Sequence, residues 1–316
     1  MGYNRPMSRL GLASAVAVLA LAGVVPASAH AQLPELPQPV NLPWERVLPP
    51  LPGRADVQPH AVPGCRDGSL ECVERVEAKL RRQWRRLDAA CDHRVIASLA
   101  YLRITELLRR DLSRRRPRFF RHKQWMAYVI TDFSNSYFQA FRDYERGRAV
   151  PGSWRHFYDT ARRGDANALQ DLLLFSNAHA QHDLSFTYAS MGLRTPSGRS
   201  RKHDHDGVNE INVRAIPKIK AEIERRYDPT VRDVPGPLDE MAGLEPTKSW
   251  RETAWRNAER LTAAPNQNAR GQVAAQIESY SAAWGKLIAS SPQLPGTRTG
   301  RLSHCRAQHA AAKRRG

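Results

Sequence analysis

The chain predicts an all-α fold: one multi-helix, bundle-like domain behind a proline-rich N-terminal strap. Three observations predict it. Apolar residues recur at steps of three and four from Cys72 to Leu287, no segment sustains the alternation of a strand, and Gly or Pro clusters separate the periodic stretches. Helices with one apolar stripe bury it by packing together.

Arg5 and Arg9 precede an unbroken small and apolar run from Leu10 to Val25, followed by Pro26-Ala27-Ser28-Ala29-His30-Ala31. A positive start, an apolar run and an A-x-A site define a secretory signal peptide over 1–31, cleaved after Ala29 or Ala31. The run is shorter than the roughly 20 residues a membrane span needs. The mature chain is therefore expected to be secreted or extracytoplasmic, with no stable transmembrane segment.

Residues 32–64 hold nine prolines and little periodicity. They read as an extended, polyproline-like segment, either a spacer from the cell surface or a strap over the domain. The leucines and Trp44 among the prolines favour packing.

The all-α domain is expected over 65–316. Val73, Val76, Leu80, Trp84, Leu87 and Cys91 form the stripe of a first helix starting near Cys72, and a second runs from His93 to Leu112. The basic run Arg114-Arg115-Arg116-Pro117 ends it. A third, from His122 to Arg146, carries Trp125, Val129, Phe133, Tyr137 and Phe141. A short helix after Pro151 holds Trp154, Phe157 and Tyr158, and another spans Asp165 to Met191 with Gly192 as its cap. After a loop, Thr195 to Lys202, a helix is expected from Val208 to Tyr227, with Pro217 as a kink. A Pro- and Gly-rich connector, Asp228 to Pro246, leads to two final helices around Trp255 and Ile277.

Cleavage after Ala31 would leave 285 of the 316 residues, and removing two arginines and no acid would lower the net charge from +18 to +16. A surface this basic favours anionic partners such as wall polymers, lipid head groups or acidic small molecules. The arginines are scattered over nearly every predicted helix, so no dedicated nucleic-acid site is expected. Cys65, Cys72, Cys91 and Cys305 read as two disulfides in an exported chain. If Cys72 and Cys91 share one helix they lie roughly 28 Å apart, against the roughly 6 Å a disulfide spans. That leaves Cys65 with Cys72 and Cys91 with Cys305 as the favoured pairs.

Two polar clusters carry the chemistry. On the predicted 165–191 helix, Leu169, Leu172, Phe175, Ser176, His179, Asp183 and Phe186 share one broad face, so His179 and Asp183 point side by side toward the core. Two ionisable groups there serve either a reaction or a packing hydrogen bond. Asp132, on an otherwise apolar face of the third helix, needs a partner; His179, a shared metal or an arginine would each serve. Asn177 and Gln181 flank the pair and are placed to orient a ligand. His182 is either a further ligand or exposed.

The second cluster, His203-Asp204-His205-Asp206, is expected in a loop before a helix, with Asp206 as a possible N-cap. Folded back over the first cluster, Asp132, His179, Asp183, His205 and Asp206 would supply N and O donors suited to zinc, manganese or iron. Arg199, Arg201 and Lys202 would then meet a substrate phosphate or carboxylate, or else form a solvated basic loop. The chain has no G-x-S-x-G elbow, P-loop, Rossmann glycine set or H-E-x-x-H motif.

At Asp132-Phe133-x-x-x-Tyr137-Phe138, Trp154, Asn177-Ala178-His179-x-Gln181-x-Asp183, Gly198-Arg199-Ser200-Arg201-Lys202-x-Asp204-His205-Asp206-x-x-Asn209-Glu210 and Trp255-Arg256-Asn257-Ala258-Glu259-Arg260-Leu261 the chain resembles a family. It is identified as a member of the actinobacterial secreted proteins of domain-of-unknown-function family 5995, over roughly Cys65 to Cys305, which implies no activity. More distantly, His179-x-x-x-Asp183 resembles a ligand pair of zinc-dependent phospholipase C and the related single-strand nucleases, secreted all-α enzymes with multi-metal sites. The chain lacks their second His after the Asp and their N-terminal Trp. That resemblance implies at most a mono- or dinuclear site.

The expected function is a metal-assisted hydrolase acting on an anionic envelope component or phosphoester, with metal-activated water and a carboxylate base. The alternative is a non-catalytic helical envelope protein that binds anionic wall polymers through its basic surface.

Overall fold

The computed structural model describes residues 60–164, 166–233, 236–291 and 297–314, without the side chains of 232–244 and 297–299. The expected signal peptide and nearly all of the proline-rich segment lie outside the described residues. The described residues all belong to one unit of the chain. They are helical throughout, with isolated bridges but no strand among them, and none of the helices is long and apolar enough to cross a membrane.

The first helix, α1 (Leu70–Ala89), buries Val73, Val76, Leu80 and Leu87, the stripe set by its three- and four-residue steps. It packs on α2 (Val95–Leu112) and α3 (Lys123–Glu145). Cys91 turns the chain between α1 and α2 in the left-handed backbone region (φ 50°), which a residue with a Cβ adopts only when its surroundings hold it there. Its disulfide to Cys305 is one such constraint. The two bridges are Cys65–Cys72 and Cys91–Cys305, as the spacing argument required.

The fourth helix, α4 (Gly152–Arg163), ends at Gly164 in the left-handed conformation. The expected single helix from Asp165 to Met191 is three pieces: α5 (Ala168–Ser176), a π-helical turn over Asn177–Asp183, and α6 (Leu184–Met191). Asn167 caps α5 by accepting from the Gln170 amide. Next, α7 (Lys202–Arg226) starts six residues before the expected Val208, so the His-Asp-His-Asp tetrad forms its first turns and not a loop. Gly207 permits this. A Cβ there would lie 2.4 Å from the Phe119 carbonyl oxygen, so only glycine lets α7 approach the segment before α3.

Helix α8 (Gly236–Ala263) includes part of the expected connector, with Pro246 inside it. It is followed by α9 (Gln267–Ala289) and by α10 (Thr297–Lys313), a helix the periodicity did not reveal. Helix α9 packs on α4 and α8 on α6, and the π turn contacts α3, α4, α5, α6, α8 and α9. That junction is where the ionisable groups meet.

Candidate functional site

A π turn places side chains four apart nearly in line, and such turns recur at functional sites because they aim groups that a regular helix would spread. Here it brings His179 and Asp183 together with His182. His179 Nδ1 lies 3.0 Å from Asp183 Oδ2, and His182 Nδ1 lies 2.8 Å from Oδ1. Trp154 Nε1, on α4, also donates to the carboxylate at 3.0 and 3.2 Å. All four groups are buried. Burial alone would push the Asp183 carboxyl up, but the bonds from both histidines hold it below the usual carboxylate range.

An ionised Asp183 accepts hydrogen bonds, so it fixes the ring protons: both histidines present Nδ1–H to it. They differ at the other nitrogen. His182 Nε2 lies 3.0 Å from Glu278 Oε2 on α9, whose Oε1 accepts from the Gly152 amide at 2.6 Å. Burial disfavours the His182 cation, yet the two carboxylates outweigh it and push its pKa up to about 9. Among the described residues His179 has no second carboxylate. Its ring lies flat on Phe133 at 3.5 Å and edge-on to Tyr101 at 4.7 Å, and burial holds its pKa below the ordinary value despite Asp183.

One carboxylate therefore serves a cationic imidazole on one side and a neutral one on the other. His179 lines a cavity of about 80 Å³ with Tyr101, Phe133, Ser176, Leu184 and Arg251. Its Nε2 is buried and has no hydrogen-bond partner among the described residues. A larger hollow of about 390 Å³ near Tyr144 is walled by the Arg94, Asp92 and Glu145 ion pairs, whose charges already satisfy one another.

The His182 cation has a stability consequence. Its folded pKa lies above the ordinary 6.5, so its contribution is complete below about 6.5 and is lost as the pH rises through about 9. The lost stability is on the order of 3 kcal/mol. Urea midpoints of the wild type should fall between pH 6.5 and 9.5, and His182→Gln should flatten that slope.

The remaining candidates are dispersed. Asp132 accepts from Thr187 Oγ1 at 3.0 Å, and burial raises its pKa; its neighbour Phe133 is what meets His179. Asn177 donates to the Ser281 carbonyl at 2.8 Å, tying the π turn to α9, while the buried Gln181 amide has no partner among the described residues. Arg201 is buried, bonded to the Met191 and Gly192 carbonyls and set over Trp125, so it is not a basic-loop residue, whereas Arg199 is exposed. Asp204 holds the Arg121 and His122 amides at 2.6 and 3.1 Å. His205 Nδ1 is 3.0 Å from the Tyr188 hydroxyl, and burial and nearby positive charges keep its pKa well below the ordinary value.

The donors expected to share a metal do not converge. Among the described residues, ligand atoms lie within 4.8 Å of one another at Cys91–Cys305–His309, Cys65–Asp67–Cys72 and His205–Asp206–Glu252. The first two contain disulfide sulfurs. In the third, the Lys202 ammonium sits 2.6 Å from Asp206 and 2.8 Å from Glu252, where a cation would go. Asp132, His179 and Asp183 appear in none of these groups.

Glu278 and Arg251 complete the site without having been singled out in sequence, whereas Trp154 was named among the residues that carry the family resemblance. Glu278 alone carried a usable signal: an acid at the helical step between Ala274 and Ser281 on the buried face of α9.

Residues 73–291 of the 316 match the model of a family of unknown function, DUF5995. The chain belongs to this family. The match takes in the DUF5995 chain from Val73 on α1 to the end of α9, so the dyad, His182, Glu278 and the cavity all lie inside the family region. No curated protein and no solved structure matches the chain, so the likeness to helical phospholipases C carries no further argument.

Proposed function

We propose that this DUF5995 chain is an extracytoplasmic hydrolase whose general base is His179. The observation that carries the reading is the asymmetry of the imidazole: Nδ1–H bonded to an ionised carboxylate, Nε2 buried beside a cavity without a partner. Such a dyad takes a proton through Nε2 while the carboxylate stabilises the imidazolium that forms. Water attacks the acyl carbon of an ester or amide, His179 accepts the water proton, and the leaving oxygen or nitrogen takes it back. Asp183 holds the tautomer. The leader sequence and the two disulfides support an oxidising compartment.

The aromatic walls suit an apolar acyl portion better than a bare phosphoester, which recruits several cationic donors. The test is hydrolysis of p-nitrophenyl acyl esters by protein purified without a His tag, beside His179→Gln. Wild-type turnover lost in the variant supports the base. Turnover unchanged in the variant contradicts it. Activity abolished by EDTA and restored by zinc would move the chemistry to a metal on His179 Nε2, and Ser176→Ala separates water from the nearby hydroxyl as nucleophile.

A second reading has its own observation. Arg82, Arg85, Arg115 and Arg116 are exposed and have no ion pair among the described residues, which leaves their charge available to an anionic wall polymer. Salt-sensitive binding to teichoic acid without ester turnover would favour it.

A further inference from the structure

Arg251, on α8, borders the same cavity, and the dyad does not use it. Its exposure is 4%. Nη2 donates to the His205 carbonyl at 2.7 Å and Nε to Asn209 Oδ1 at 2.8 Å, both neutral acceptors. No carboxylate among the described residues pairs with it. Neighbouring Glu252 is engaged by Lys202 at 2.8 Å and Arg256 at 3.1 Å. A guanidinium does not shed its proton, so burial without a counterion is costly. Of the other buried arginines, Arg301 on α10 has Asp171 at 2.8 Å, while Arg270 on α9 donates to the Leu261 carbonyl at 2.9 Å and lines no cavity with His179.

The rest of the wall tells what would provide the missing charge. Asn212 Oδ1, also buried there, lacks a partner among the described residues, and most other lining side chains are aliphatic or aromatic. A guanidinium with two nitrogens committed to the protein leaves Nη1 for a ligand. One cation with one free nitrogen fits a monoanion. A phosphate ordinarily gathers several donors.

We propose that the cavity takes an amphiphilic monocarboxylate, with its unbranched apolar body against Phe133, Val129 and Leu184 and its carboxylate on Arg251. This rests on His179 being the base of the same site, and names the substrate class: carboxylate-bearing acyl esters or amides. Substrates of this kind present the apolar body to the aromatic wall and place the acyl carbon near His179, while the head cancels a buried charge that no carboxylate among the described residues cancels.

Calorimetric titration of the full chain at pH 7.5 with octanoate, 1-octanol and octyl phosphate tests the proposal on wild-type protein. Octanoate should bind saturably and about tenfold or more tightly than octanol, as expected for a charge-assisted hydrogen bond. Arg251→Gln should reduce octanoate to the octanol level, and Arg251→Lys should retain part of the difference. Equal binding of octanoate and octanol, tighter binding of octyl phosphate, or no binding of octanoate overturns it. His179→Gln separates the two claims, because it should keep octanoate affinity within about threefold while losing ester turnover. Octanoate binding by a wild type that hydrolyses no ester leaves this inference standing and removes the base. Turnover that depends on His179 but is indifferent to octanoate does the reverse.

Discussion

Asp183→Asn is expected to lower ester turnover by about 10³ to 10⁴-fold, close to the loss in His179→Gln and with nearly unchanged shape. Asp183 accepts from His179, His182 and Trp154. An amide offers one oxygen and one NH2, so at least one imidazole must face a donor with a donor. If that ring is His179, its proton moves to Nε2 and the base is lost. If it is His182, a buried cation keeps only Glu278. Steady-state rates with a circular dichroism melt distinguish a lost base from a lost fold. Full activity in a folded Asp183→Asn protein contradicts the orienting role.

Arg301→Met is expected to destabilise the chain by about 3–5 kcal/mol, because it removes the buried guanidinium that faces the buried carboxylates of Asp171 and Asp228. Arg301 on α10 donates to Asp171 at 2.8 Å on α5 and to the Ala166 carbonyl, and its Nε lies 3.7 Å from Asp228, which itself accepts from the Ala168 amide at 2.8 Å. Arg301 is 3% exposed and both acids are 0% exposed, so solvent screens little of the loss. The network pins the start of α5, the helix that runs into the π turn. A drop in melting temperature of about 10 °C is the corresponding readout for a domain of this size. A shift of a degree or less would show that water reaches the acids.

The helices other than α10, and both disulfides, were legible because three- and four-residue apolar steps fix a face, and because a continuous helix separates Cys72 from Cys91. The pairing of His179 with Asp183 was legible for the same local reason. What failed was less local. A π turn inserts an extra residue without altering the apolar pattern around it, so one long helix was expected over 165–191 where three pieces stand. It also turned Asn177, Gln181 and His182 inward together. Asp132 was placed on a buried face where His179, a shared metal or an arginine would each serve, but it accepts from Thr187, and its neighbour Phe133 meets His179. The tetrad was expected in a loop before a helix starting at Val208, whereas it opens α7, whose close approach to the Phe119 backbone Gly207 permits. Glu278 and Arg251 lie too far along the chain for any local pattern to attach them to His179, and arginine is too common in this sequence for one buried copy to stand out.

Selective 15N-histidine NMR of the wild type at pH 7.5 tests the central claim most directly. The account predicts a neutral His179 with its proton on Nδ1 and an unprotonated Nε2, beside a His182 protonated at both nitrogens that titrates near pH 9. A His179 that is cationic, or protonated at Nε2 alone, would contradict it.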